Sequence, residues 1–290
     1  MASRSKAKNI NYFSVSSVDL RQVAGSESSV FNNDYISIVL NGHPSFSLFL
    51  RAGQVYQLPE PRLMLVLNGD IDVHLNLEQF HVGQGTAILT MPDTIMEITH
   101  FSDETTLCGI ALKDGTHVDE SIVTTCSPKD FDRLRHMLFL LNDMAKATPF
   151  RRDVVHHIVM AMISDIQYIG QFSRNNESSA LPSRGQQIFQ LFKELVNQHC
   201  EHERNIPFYA DQLHITPHHL SAVISKTSGH SVMYWINRAV ILRAKVMLRT
   251  SDLMTYEVAE RLNFPNTPAF NNFFKRETGI TPRAYRNDIQ

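Results

Sequence analysis

The sequence predicts a two-domain protein: an N-terminal all-β barrel with trailing helices, then a C-terminal all-α double helix-turn-helix joined by a long connector helix. Three observations carry this. Apolar residues alternate like strands between about residues 30 and 112. The period lengthens to that of helices from Pro128 onward. One helix-turn-helix pattern then occurs twice in the last hundred residues, in a register too regular for coincidence. At 290 residues there is room for two cores.

In the β region, Leu63–Leu67 is wholly apolar and Asn68-Gly69 reads as a hairpin turn. Ile71, Val73, Leu75 and Leu77 share one face, opposite Asp72, His74, Asn76 and Glu78. Gly83 and Gly85 precede a strand at Thr86–Met91, and further strands follow at Ile95–Thr99 and Leu107–Leu112. Short strands at this spacing suggest a small barrel or sandwich. His74, His81 and His100 are scattered, with no His-x-His pair in this region, so no metal site is expected and a dry pocket for a small organic effector is the better reading.

Two amphipathic stripes come next. Phe131, Leu134, Leu138 and Leu141 form the first; Ala147-Thr-Pro149 breaks the chain. Val154, Val155, Ile158, Val159, Met162, Ile166 and Ile169 form the second. These helices either close the barrel or make a dimer face. Ser173 to Ser183, polar and proline-bearing, reads as a flexible linker.

The repeat lies beyond it. Ala210 and Ala259 are 49 residues apart, as are Ile215 and Phe264; Leu220 and Phe270 are 50 apart, as are Gly229 and Gly279. One insertion in the turn accounts for the change. Leu220, Val223 and Ile224 make a buried stripe in the first copy, and Phe270, Phe273 and Phe274 make it in the second. Thr216-Pro217 and Thr267-Pro268 read as a hydroxyl cap followed by proline at the first helical position. Gly229 and Gly279 suit the left-handed residue that stops each helix.

From about Gln186 to Arg286 the chain resembles the DNA-binding domain of the AraC/XylS family of bacterial transcription regulators. The marks are Ala259…Leu262-Asn-Phe264, Phe270…Phe274-Lys275-Arg276, Gly279-Ile-Thr-Pro282 and Tyr285-Arg286. The resemblance implies seven helices, with Val232–Leu248 as a connector roughly 25 Å long. That length suits two recognition helices about one duplex turn apart. More loosely, the turn glycine, alternating strand and Val-Gly-Gln-Gly corner resemble the cupin-like sensing domain found ahead of such domains. Residues 1–126 are then a sensing barrel, 127–172 a helical dimerisation element, 173–183 a linker and 184–290 the DNA-binding domain.

On this reading His218, His219, Ser221, Ser225, Thr267, Asn271 and Asn272 are the base-reading candidates, with Ala222 beside them on the same face. Lys226, Lys275, Arg276, Arg283 and Arg286 lie toward helix ends, where the phosphate backbone passes. His218-His219 also fits a solvated first turn, and Arg283 and Arg286 also fit surface cover. Two departures from the family stand out. Val240 occupies the connector position where relatives carry arginine, so no role is carried onto it. The reading helices here are also poor in arginine and glutamine. Asn271 and Asn272 point to an A·T-rich half-site.

Charge agrees gently. Residues 184–290 hold 13 Lys+Arg and 9 Asp+Glu, net +4; the rest hold 14 and 20, net −6. The basic stretch Met1–Lys8 has no apolar run after it, so no secretion signal is expected. Three distant cysteines (Cys108, Cys126, Cys200) suit a reduced cytoplasm. The expected function is an effector-responsive regulator acting on double-stranded DNA, with no cofactor; the resemblance implies a homodimer, more often an activator than a repressor, that contacts RNA polymerase. The alternatives are a regulator whose barrel only dimerises, and a cupin-type enzyme with a DNA-binding appendage.

Overall fold

The computed structural model describes residues 29–42, 53–113, 115–177, 183–250 and 252–287. They fall into two compact units, one within Phe13–Ser179 and one within Ala180–Gln290.

The N-terminal unit is three-layered. Strands β1 (Ser29–Asn32), β2 (Ile36–Gly42), β4 (Arg62–Asn68), β7 (Thr86–Thr90), β9 (Thr106–Leu112) and β10 (Ile122–Thr125) form one antiparallel sheet, in the order β1-β2-β9-β4-β7-β10. Strands β3 (Gln54–Leu58), β5 (Asp70–Leu75), β6 (Glu78–Gly83) and β8 (Thr94–Phe101) form the second, in the order β3-β8-β5-β6. Tyr56, Leu58, Ile71, Val73, Leu75, Met96 and Ile98 of the smaller sheet share a core with Val66 and Ile88 of the larger. Helices α1 (Pro128–Lys146) and α2 (Arg152–Glu177) supply a further layer. Leu134, Leu138, Leu141, Val155, Val159, Met162 and Ile166 join Ile36, Ile38, Leu63, Leu65, Leu89 and Ile110 in a separate core.

This arrangement explains the unbroken apolar run at Leu63–Leu67. Leu63 and Leu65 face the helices while Val66 and its neighbour Met64 face the other sheet, so β4 is buried on both sides. It also corrects the barrel expectation. Among the described residues the sheets are open, and Asn68-Gly69 is a corner between them rather than a hairpin: β4 pairs with β7 and β9, β5 with β6 and β8. Gly69 turns there at φ +69, where a Cβ would lie 2.5 Å from Ser102 Oγ and 2.7 Å from Thr105 Cα. The hairpin is instead at Asn76-Leu77, between paired Leu75 and Glu78, with Asn76 at φ 53. Asparagine tolerates that conformation better than most residues.

The helical stripes hold with two exceptions. Val154 is 39% exposed rather than buried, since the face of α2 that meets the sheet is centred on Val155 and Val159. Helix α2 also continues to Glu177, into the stretch expected to be a linker from residue 173; residues 178–182 of that stretch, and Met1–Lys8, lie outside the described residues.

The C-terminal unit contains seven helices among the described residues: α3 (Arg184–His199), α4 (Ile206–Gln212), α5 (Pro217–Ser228), α6 (Val232–Thr250), α7 (Thr255–Arg261), α8 (Thr267–Thr278) and α9 (Pro282–Asn287). Helix α3 opens on a capping box: Ser183 Oγ accepts from the Gln186 amide while the Gln186 side chain accepts from the Ser183 amide. Helix α6 is the connector and packs against α3, α5, α7, α8 and α9. Ile236, Val240 and Ala244 on it are fully buried. Val240 is thus a core residue.

Candidate nucleic-acid interface

Each helix-turn-helix unit is built from the same backbone devices in the same order. Helices α4 and α7 span seven residues each, 49 apart. Each ends in a left-handed residue that is not glycine: His214 at φ 54 and Asn263 at φ 53. The amide of the next residue reaches back to the shared alanine, Ile215 N to Ala210 O at 3.0 Å and Phe264 N to Ala259 O at 2.9 Å. These six-to-one bonds close the helix ends as in a Schellman motif. Ala210 and Ala259 are buried, which leaves the close crossing that a small side chain permits.

The reading helices α5 and α8 follow. Thr216 caps α5, its hydroxyl accepting from the His219 amide at 3.2 Å. In the second unit the cap is Asn266, whose Oδ1 accepts from the Ala269 amide at 2.9 Å. Thr267, expected as the cap, is the first helical residue instead. The reason is the insertion: Thr216 and Asn266 are 50 apart, so Pro265 is the extra turn residue. Leu220, Ile224, Phe270 and Phe274 are fully buried and Phe273 is 8% exposed, as the stripes require. Val223 is only half-buried. Gly229 (φ +74) and Gly279 (φ +82) end the two helices, each amide bonded four residues back.

The repeat runs further than the sequence suggested. The hydroxyls of Ser228 and Thr278 donate to Ile224 O and Phe274 O, both at 2.8 Å. Each also accepts from the amide two residues on, His230 and Ile280. Ser231 and Thr281 then accept from the amides of Tyr234 and Ala284. The start of α6 therefore repeats α9, with Trp235 standing where Tyr285 stands.

Of the base-reading candidates, His218, His219, Ser225 and Asn272 are exposed. Ser221, Thr267 and Asn271 are half-buried. The Ser221 hydroxyl donates to Pro217 O at 2.9 Å, and Asn271 Oδ1 is buried without a hydrogen-bond partner among the described residues. Asn272 is thus the better presented of the two asparagines. Among the phosphate candidates Lys226, Lys275, Arg276 and Arg283 are exposed. Arg276 pairs with Glu277 at 2.7 Å and lies 5.4 Å from the Phe273 ring centroid. Arg286 differs from expectation: Nε donates to Leu248 O at 3.1 Å and a terminal nitrogen to Leu253 O at 2.6 Å. Its guanidinium clamps α9 to the end of α6 and the following loop.

Two arginines that the sequence reading passed over join parts of the domain. Arg204, in the loop before α4, lies 3.7 Å over the Phe264 ring and donates to Leu262 O, so it reaches into the second unit. Burial lowers its pKa. Asn263 Nδ2 strengthens the same joint by donating to His202 O at 2.9 Å. Arg243 on α6 donates to Asn197 O at 3.2 Å and pairs with Glu201 at 3.5 Å. Neighbouring Tyr209 and Cys200 are driven up by burial, the thiol to about 11. The signal available in sequence was Arg204 ahead of an aromatic-rich helix, with no hint of its partner.

Residues 209–288 match the family model described as "Helix-turn-helix domain". Regulatory protein PocR of Salmonella typhimurium is 24% identical over 119 residues, 41% of this chain and 39% of PocR. HTH-type transcriptional activator RhaR of Cronobacter sakazakii is 29% identical over 111 residues, 36% of this chain and 37% of RhaR. Regulatory protein SoxS of Salmonella typhimurium is 26% identical over 104 residues, 36% of this chain and 97% of SoxS. The matches thus span about two fifths of PocR and RhaR but nearly all of SoxS. Residues 209–288 therefore carry a helix-turn-helix domain, and this part of the chain is similar to proteins named as bacterial regulators.

Proposed function

We propose that this chain is a sequence-specific transcription regulator that sets α5 and α8 into two adjacent major-groove segments of duplex DNA. The observation that carries the reading is the twofold recurrence of one capped unit on a shared connector. Both reading helices keep their apolar stripe inside and turn short polar groups and cations outward. Short polar side chains suit base edges, and cations near helix ends suit phosphates. The relatives PocR, RhaR and SoxS are named as regulators, RhaR as an activator. Activation through RNA polymerase is the corresponding proposal here, as is action in the cytoplasm.

We further propose that residues 1–126 form a cupin-like module for a small organic effector and that 127–172 mediate homodimer formation. In support, α1 and α2 leave Phe139, Leu140, Tyr168 and Phe172 at least 40% exposed. Such a face suits a second copy. Effector binding would then bias how two DNA-binding domains are placed.

Selected-site sequencing with the full chain tests the central reading. A bipartite site is expected, with A·T pairs where Asn272 docks. No enriched sequence would end the proposal, and a G-rich half-site there would end its asparagine component.

A further inference from the structure

All six histidines of the C-terminal unit lie in its first half: His199, His202, His214, His218, His219 and His230, with none after position 230. The first unit is otherwise poor in cations. Between 199 and 230, Glu201, Glu203 and Asp211 oppose Arg204 and Lys226, net −1, and Arg204 is partly buried against Phe264. From α7 to α9, Glu257, Glu260 and Glu277 oppose Arg261, Lys275, Arg276, Arg283 and Arg286, net +2. The contrast is sharpest at matched positions 50 apart. Where α8 has Pro268 and Ala269, α5 has His218 and His219; where α8 has Lys275, α5 has Ser225.

We infer that the first unit's grip on DNA is set by proton uptake at His218 and His219, so that the chain binds duplex more tightly as pH falls through the histidine range. This rests on the DNA-binding reading above. Both side chains are exposed on the first turn of α5, the turn a recognition helix brings to the duplex. Neither imidazole has a hydrogen bond or ion pair among the described residues, so both can meet the duplex, where added charge strengthens the hold on it whether a base edge or a phosphate is met. A neutral imidazole offers one donor and no charge, whereas the imidazolium offers two donors and a full charge. The charged residues on the elements packed against α5 are Arg184, Lys193 and Glu194 on α3 and Asp211 on α4, with Arg238, Arg243, Lys245 and Arg249 on α6. Lys226 lies on α5 itself. Of the other histidines, His199 packs edge-on against Phe208 and His230 stacks on Tyr234 at 4.0 Å. His202 and His214 are exposed but lie outside the reading helices, before α4 and before α5.

The sign follows from linkage. If the complex prefers the protonated form of each histidine about tenfold, the low-pH affinity is about tenfold higher for each. The pair together would give up to about a hundredfold, and the salt dependence at low pH would steepen by roughly 2 logarithmic units per decade of salt.

The test is fluorescence anisotropy of the full chain with a mixed-sequence 40-base-pair duplex (length chosen as about four turns) at about pH 7.8 and about pH 5.8, at fixed ionic strength. The readout is the ratio of the two dissociation constants. The expected result is a large ratio for the natural chain and a ratio near one for His218→Gln/His219→Gln, with circular dichroism checking that the variant is folded. Lys275→Ala/Arg276→Ala should weaken binding at both pH values and leave the ratio in place. A ratio that survives in the histidine variant would overturn the assignment, as would a ratio near one in the natural chain. Absence of binding by the natural chain at either pH would instead overturn the underlying DNA-binding reading.

Discussion

Thr216 and Asn266 cap their helices through different chemistry, a hydroxyl in one unit and an amide oxygen in the other, yet both reach the third amide of the helix. His214 and Asn263 hold the same left-handed turn. Leu220 and Ile224 fill the place of Phe270 and Phe274. The two units share their backbone devices and differ in the side chains that carry them out. What must be kept is a donor, an acceptor or a volume at a set position. Outside the core the units diverge freely, histidine against proline and alanine, serine against lysine. The shared part fixes the fold of each unit, and on the proposed function the divergent part suits each reading helix to a different stretch of duplex.

The strongest way to break this comparison is to hollow each core. Phe270→Ala should cost about 3–5 kcal/mol and Leu220→Ala about 2–5 kcal/mol by urea denaturation. Because α6 packs against α5, α7 and α8, the C-terminal unit of each variant should still unfold in one transition. A separate early transition in either would show that the units are independent.

Next is the joint between them. Arg204→Ala removes a carbonyl hydrogen bond and a cation over Phe264, and should cost about 2 kcal/mol. A cycle with Phe264→Leu should give a coupling of at least about 0.5 kcal/mol. Strict additivity would mean the contact is idle.

The terminating glycines give a matched pair. Gly229 and Gly279 have positive φ and open space around an added Cβ, so alanine is opposed by backbone conformation alone. Each substitution should cost about 1–2 kcal/mol, nearly equally in the two units. Thermal denaturation resolves such a difference, and a loss in only one unit would separate their helix ends.

The smallest effect locates the cap. Asn266→Ala should cost about 1 kcal/mol, and Thr267→Ala less than about 0.5 kcal/mol. The reverse order would restore Thr267 as the cap and undo the place given to the inserted Pro265.

These particulars show what could be read in advance. The stripes and the glycine stops were legible because each depends on spacing along one helix, and the connector was legible only through the resemblance. The cap of α8 was misplaced because Asn266, Thr267 and Pro268 each suit a helix start, and only the fold shows which oxygen reaches an amide. The Asn68-Gly69 corner was misread for a similar reason. A residue pair that favours a turn does not say whether the next strand stays in the same sheet. Arg204 and Arg286 were hidden because their partners are backbone carbonyls 58 and 38 residues away, which no local pattern encodes. The polar faces of α5 and α8 were legible as residue types, but the partial burial of Asn271 and Ser221 was not.

Hydroxyl-radical footprinting of the full chain on its selected duplex tests the coupled pair of reading helices most directly. The account predicts two protected segments about one helical turn apart, with Lys275→Ala/Arg276→Ala thinning protection at one of them and leaving the other in place. A single protected segment, or two that are lost together, would contradict it.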